Sequence, residues 1–176
     1  MADQTTNQIE SLDEEGFRTS LGIEEARDER AGCAEWLWYL GRKWLAEEKG
    51  DGPLHQAIRQ SGYDAAHGRY AGVKTTREFA KAFTAEPSRS VLKLKTLELT
   101  DDTFEVEFNE CPLVTAWREL GATPEEVVKL CDIAMEEDRG AIEEIGTLNY
   151  ELKETIAEGS HHCIVRITAK QQEAQA

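Results

Sequence analysis

The fold turns on the stretch Phe104-Glu105-Val106-Glu107-Phe108-Asn109-Glu110-Cys111-Pro112-Leu113. Its first half alternates, with Phe104, Val106 and Phe108 on one side and Glu105 and Glu107 on the other. A period of two with one apolar side is a half-buried strand, the usual habit of an antiparallel sheet. The alternation stops at Asn109. Pro112 then suits the first position of a helix, where its missing N–H is one that no helix would use. The chain therefore passes here from strand to helix, with Cys111 at the junction.

Upstream, residues 91–99 read as the partner strand, joined through the turn Thr100-Asp101-Asp102. Before them the period is helical. Over 23–49, Cys33, Trp36, Leu37, Leu40, Trp44 and Leu45 recur at three- and four-residue steps, which predicts one long amphipathic helix. Gly50-Asp51-Gly52-Pro53 ends it. A weaker helix over 54–71 turns Leu54, Ile58, Ala65 and Ala66 inward, with Gly62 and Gly68 counting against it. A third, over about 75–84, carries Phe79 and Phe83.

Downstream, a short helix over 114–120 is closed by Gly121. Thr123-Pro124-Glu125-Glu126 then supplies an N-cap, a proline at the first helical position and the glutamate of a capping box. The helix it opens places Val127, Leu130, Cys131, Ala134 and Asp138 on one face, and a break or bend is expected at Gly140. Residues 148–156 alternate again, Ala157-Glu158-Gly159-Ser160 turns, and 161–170 return. On that last strand Cys163, Val165 and Ile167 face one way and His162, Ile164, Arg166 and Thr168 the other. Two hairpins separated by helices predict an α+β fold: an antiparallel four-stranded sheet packed with N-terminal and central helices. Residues 1–20 read as a polar tail, 21–170 as a single domain and 171–176 as a second short tail.

The chain has 176 residues, with 20 Lys+Arg against 35 Asp+Glu and a net charge of −15. Such a surface repels phosphate backbones and anionic lipid, so neither nucleic acid nor a membrane is expected as a partner. The N-terminus lacks the basic and apolar regions of a signal peptide, and the expected address is the cytoplasm. There Cys33, Cys111, Cys131 and Cys163 are expected as free thiols, buried filler, metal ligands or nucleophiles and not as a disulfide framework.

Cysteine chemistry is the most specific signal. As an N-cap, Cys111 would have helix amides and the helix dipole directed at its sulfur, which favours thiolate. Cys131 and Asp138 are seven residues apart, two turns of an unbroken helix, so both can face one point. Against this, free cysteines are most often buried filler, and Cys33, on the tryptophan-rich helix, reads as filler. Trp36, Trp38 and Trp44 read as core and helix interface. No Cys-x-x-Cys occurs, and spacings of 20 and 32 residues are not those of a zinc site, so neither metal nor cofactor is expected. Dinucleotide, P-loop, serine-hydrolase and zincin motifs are missing from the sequence.

The string Phe108-Asn109-Glu110-Cys111-Pro112-Leu113, then Leu130-Cys131, Asp138, Thr155-Ile156, Gly159 and Cys163, resembles the L-2-amino-thiazoline-4-carboxylic acid hydrolase family. The resemblance spans roughly 30–169 and is strongest between Phe104 and Ile167. More distantly, the set is similar to 4-vinyl reductase-like small-molecule-binding domains. The first resemblance implies ring opening of a cyclic amidine, in which water adds to the carbon between sulfur and nitrogen and a C–N bond breaks. Cys111, Cys131, Asp138 and Cys163 fall on its motif positions. Two routes are open: attack by a Cys111 thiolate, or water activated by Asp138 or a histidine. A carboxylated substrate calls for a cation, for which Arg118, Arg139 and Arg166 are candidates, with His162 as a further binding residue. The expected partner is a small molecule, and self-association is left open. A binding or sensing domain without turnover is the competing reading, and a lyase or isomerase acting on a small carboxylate is a third.

Overall fold

A computed structural model describes residues 9–12, 18–46 and 52–171, with side chains over 22–42 and 52–171. Two short strands, β1 (Ile9–Leu12) and β2 (Arg18–Leu21), form an antiparallel ladder where the sequence suggested a loose tail. The long helix α1 (Ile23–Ala46) follows, then α2 (Gly52–His67), α3 (Thr76–Phe83) and the single turn α4 (Ser88–Val91). The first hairpin is β3 (Leu94–Leu99) and β4 (Thr103–Phe108). Helices α5 (Pro112–Glu119), α6 (Pro124–Ala134) and α7 (Glu136–Ile145) lead to the second hairpin, β5 (Leu148–Glu154) and β6 (Cys163–Ala169).

The four strands form one antiparallel sheet in the order β3-β4-β6-β5, the expected α+β arrangement. Register carries the alternation of the sequence into space. Phe104 lies opposite Ile167, Val106 opposite Val165 and Phe108 opposite Cys163, so the apolar sides of both central strands make one face. The other face carries a charge ladder in which Glu105 takes Lys153 at 3.0 Å and Arg166 at 3.5 Å. Because β4 ends opposite the start of β6, the strand–helix junction at Cys111 is brought beside Cys163.

The buried side of α1 is rotated from the expected stripe. Ala34, Leu37, Trp38 and Gly41 face inward at helical spacing, while Trp36 is 74% exposed and Leu40 is also exposed. The small residues decide this. Ala34 lets the Trp117 indole N–H donate to its carbonyl at 2.8 Å, and Gly41 lets Leu130 pack against the helix. Cys33 is likewise exposed and is not core filler. The side chain of Trp44 lies outside the described residues.

The expected bend at Gly140 is also corrected. The helix breaks at Met135, which closes α6 and opens α7, and Gly140 sits inside an uninterrupted α7. Its glycine serves close approach instead. A methyl group at Gly140 would collide with the Arg59 carbonyl of α2, and one at Gly62 of α2 would collide with the Glu137 carbonyl of α7. The two helices thus cross backbone to backbone at a pair of glycines. Beside the crossing, buried Glu136 accepts from Arg59 Nε at 2.6 Å and from Arg139 Nη1 at 2.7 Å. Burial raises the Glu136 pKa, but the two guanidiniums outweigh it and hold the carboxyl below its usual range.

The crossing gives a direct test. Alanine is the better helix former by about 1 kcal/mol. Even so, Gly140→Ala and Gly62→Ala are each expected to destabilise by about 2 kcal/mol or more, since the obstructing atoms are backbone. Chemical denaturation checks this; a stabilised Gly140→Ala protein would contradict the close crossing.

Candidate active site

Two hydrophobic clusters build the interior. One joins α1, α5 and α6 through Leu37, Trp38, Val114, Trp117 and Leu130. The other joins the sheet to α3 and α7 through Phe79, Phe104, Val106, Ile142 and Ile167. Between them lies a cavity of about 270 Å³, just below the usual range of a small-molecule site. Leu37 and Cys131 of the first cluster line it, together with Val165 of the second.

The cavity brings together the four residues of the motif. Cys111, Cys131, Asp138 and Cys163 all line it. Cys111 is the N-cap of α5, Cys131 lies in the last turn of α6, Asp138 in the first turn of α7, and Cys163 opens β6. Cys131 and Asp138 meet across the break at Met135 and not along one continuous helix. All four cysteines are free, and Cys33 lies at the cavity wall as well. Among the described residues, no group of three or more His, Cys, Asp or Glu side chains is placed to hold a metal.

The electrostatics correct the thiolate expectation. Cys111 makes no side-chain capping hydrogen bond. Burial pushes its pKa up, and the amides of Val114 and Leu113 with the guanidiniums of Arg30 and Arg118 recover only part of the loss. Burial and the neighbouring sulfurs push Cys131 to about 12. Cys163 rises to about 11, again chiefly by burial, although the Ile156 N–H donates to its Sγ at 3.2 Å. At neutral pH all three are thiols. The helix N-terminus is outweighed because desolvation penalises the anion more than a helix end restores.

Asp138 moves in the same direction with the opposite chemical result. Burial first, then the neighbouring Glu137, raise its carboxyl from 3.8 to about 6, against the pull of Arg69, Arg30 and Arg139. It therefore stays mostly ionised at neutral pH while remaining a far better base than an ordinary aspartate. Its carboxyl makes no hydrogen bond or ion pair among the described residues.

The other expected binding residues do not line the cavity. Arg118 donates from Nη2 to the Ile156 carbonyl at 2.9 Å and so clamps the β5–β6 loop. Arg139 is engaged by Glu136 and by Asp132, the latter at 2.7 Å. Arg166 pairs with Glu98 and Glu105 on the outer face of the sheet. His162 lies 3.5 Å from Glu154, also away from the cavity. The cations that do line it are Arg30 of α1 and Arg69, just beyond α2. Arg69 lies 3.5 Å from Glu137, whereas Arg30 makes no ion pair among the described residues. Arg30 precedes Leu37 by two helical turns, a signal that becomes visible only once Ala34 and Trp38 replace Trp36 and Leu40 as the inward face.

Folded-state burial of Asp138 also fixes a sign. A raised carboxyl pKa means that the folded protein binds the proton more tightly than the unfolded chain. Its contribution to stability therefore falls as pH rises from about 4 to about 6, and stays low above that. Asp138→Asn is expected to gain up to about 3 kcal/mol over the parent at pH 8, and nothing below pH 4. Paired thermal melts at the two pH values check this; an equal effect at both would place the carboxyl in water.

Comparison with known proteins follows the same line. No match is found among curated proteins. Among solved structures, trafficking protein particle complex subunit 3 from Naegleria fowleri, covalently bound to palmitic acid, superposes with a TM-score of 0.57 at 14% identity. The match covers 85% of this chain and 99% of that one, a likeness of fold. Residues 24–167 match the family model described as L-2-amino-thiazoline-4-carboxylic acid hydrolase, which takes in every element from α1 to β6 and the whole cavity, and the chain belongs to that family.

Proposed function

We propose that the protein is a small-molecule hydrolase that opens a cyclic amidine carboxylate at a C–N bond, with Asp138 as the base. The observation that carries this reading is Asp138 itself: a carboxyl with a pKa raised to about 6, in the wall of a cavity that also presents Arg30. Asp138 takes a proton from water, and the water oxygen adds to the carbon between sulfur and nitrogen. As the oxygen adds, the π pair of the C=N bond goes to the ring nitrogen, which takes the first proton back from Asp138. Asp138 then takes the second proton from the added hydroxyl and passes it to the same nitrogen as the C–N bond breaks, its electron pair going to nitrogen while a carbonyl forms on the carbon and nitrogen leaves as an amine. Arg30 pairs with the substrate carboxylate, against a global charge of −15 that repels it. Cys111, Cys131 and Cys163, as neutral thiols, form the soft apolar wall around the ring. Four free thiols suit the reducing cytoplasm, where we place the protein. Among the described residues no helix is long and apolar enough to cross a membrane.

The palmitate held by the Naegleria protein raises a second reading, an acyl chain carried on a cavity cysteine. The charged wall of Arg30, Arg69, Glu137 and Asp138 weighs against it.

L-2-Amino-thiazoline-4-carboxylic acid is the substrate to assay first. Asp138→Asn is expected to lower kcat by about 10²-fold or more. Cys111→Ser should stay within about tenfold of the parent, because no thiolate is required. Arg30→Gln should raise KM about tenfold with little change in kcat. An inactive Cys111→Ser protein beside an active Asp138→Asn protein would restore covalent catalysis.

A further inference from the structure

The reaction as written draws on one part of the cavity wall: Asp138, Arg30 and the thiols. Another part is aromatic and unused. Phe83 of α3, Phe108 of β4 and Leu92, which closes α4, all line the cavity. Phe83 and Phe108 meet edge to face, with ring centroids 5.8 Å apart. Phe83 also stacks on Phe79 at 5.4 Å and meets Phe104 edge-on at 6.3 Å. The inner rings, Phe79 and Phe104, are sealed at 1% and 0% exposure. Phe83 and Phe108 belong to the same cluster but are only partly buried, and they end it at the cavity. Leu92 is held beside them, because its carbonyl accepts from the Asn109 and Glu110 N–H groups, each at 3.2 Å, immediately after Phe108. The charged residues of the wall come from α1, α7 and the stretch after α2, so the two parts are built from different elements. Cys163 ties them together: it lies opposite Phe108 across the β4–β6 ladder and lines the cavity with Asp138.

We propose that Phe83, Leu92 and Phe108 form a subsite for an apolar substituent on the substrate ring, so that the substrate is a cyclic amidine carboxylate bearing an aryl or branched alkyl group. The proposal rests on the hydrolase reading. With the amidine carbon at Asp138 and the carboxylate on Arg30, the ring carbon next to the carboxylate-bearing one is left to carry the group. Two phenyl rings at a cavity wall gain by being covered, and an aryl group can pack on them edge to face. The three side chains offer no hydrogen-bond partner, so a polar substituent would lose its water without compensation.

The test compares L-2-amino-thiazoline-4-carboxylic acid with its 5-phenyl derivative on the full chain, in the parent, Phe83→Ala and Ser88→Leu. Ser88 lines the same cavity at the start of α4, so leucine there adds volume without taking a side chain from the core. That variant answers the question even if Phe83→Ala fails to fold. The parent is expected to favour the phenyl compound in kcat/KM by about tenfold or more. In either variant the preference should fall to about twofold or less. Ring opening of both compounds at equal kcat/KM in the parent would overturn the subsite and leave the hydrolase reading standing. If neither ring opens, the hydrolase reading fails and calorimetric binding decides the subsite. A Kd about tenfold tighter for the phenyl compound in the parent, lost in Ser88→Leu, supports it, and equal Kd values overturn it.

Discussion

The site depends on the contact between α2 and α7 at Gly62 and Gly140, where each helix presses bare backbone against the other. No side chain fits there, so the contact fixes both the depth and the rotation of α7. Asp138 lies between Glu137, whose carbonyl meets Gly62, and Gly140 itself. The same contact brings the end of α2 close, so Arg69 lines the cavity together with the carboxyl. The buried Glu136 pairs with Arg59 and Arg139 at the margin of this crossing and keeps the seam electrically satisfied. Packing alone therefore holds a carboxyl where water would not leave it.

Burial then divides the labour of the site. It acts on three thiols and one carboxyl and raises the pKa of each. The direction is the same and the chemical result is opposite. A thiol moved up to about 11 or 12 is silent at neutral pH, whereas a carboxyl moved up to about 6 is a poised base. The same burial makes the ionised Asp138 costly to the fold, the kind of local instability that functional sites carry.

Much of this was legible in the sequence where one physical rule acts alone. Alternation in Phe104-Glu105-Val106-Glu107-Phe108 yields β4, and the capping box at Thr123 yields the start of α6. The family resemblance also picked out Cys111, Cys131, Asp138 and Cys163, which the fold gathers around one cavity. The reading failed where two rules compete. Trp36 and Leu40 looked like core by type, yet Ala34 and Gly41 are small enough to let neighbouring helices approach, so α1 turns that side inward. Gly140 looked like a helix breaker by propensity, yet a close helix neighbour makes glycine necessary. Cys111 looked like a thiolate by its place at a helix end, yet desolvation was larger. Arg69 carries no local signal and Arg30 only its place two turns before Leu37, so tertiary packing is what sets them apart from the other arginines.

The fold is shared at 14% identity with a trafficking subunit, so the architecture by itself names no chemistry. The chemistry of this chain is argued from the charged residues of its own cavity wall, Arg30, Arg69, Glu137 and Asp138. The most direct test is a crystal structure of the Asp138→Asn protein holding L-2-amino-thiazoline-4-carboxylic acid. The account predicts an intact ring, its carboxylate on Arg30 and its amidine carbon facing the residue 138 side chain across one water. A covalent bond between that carbon and the Cys111 sulfur would contradict it.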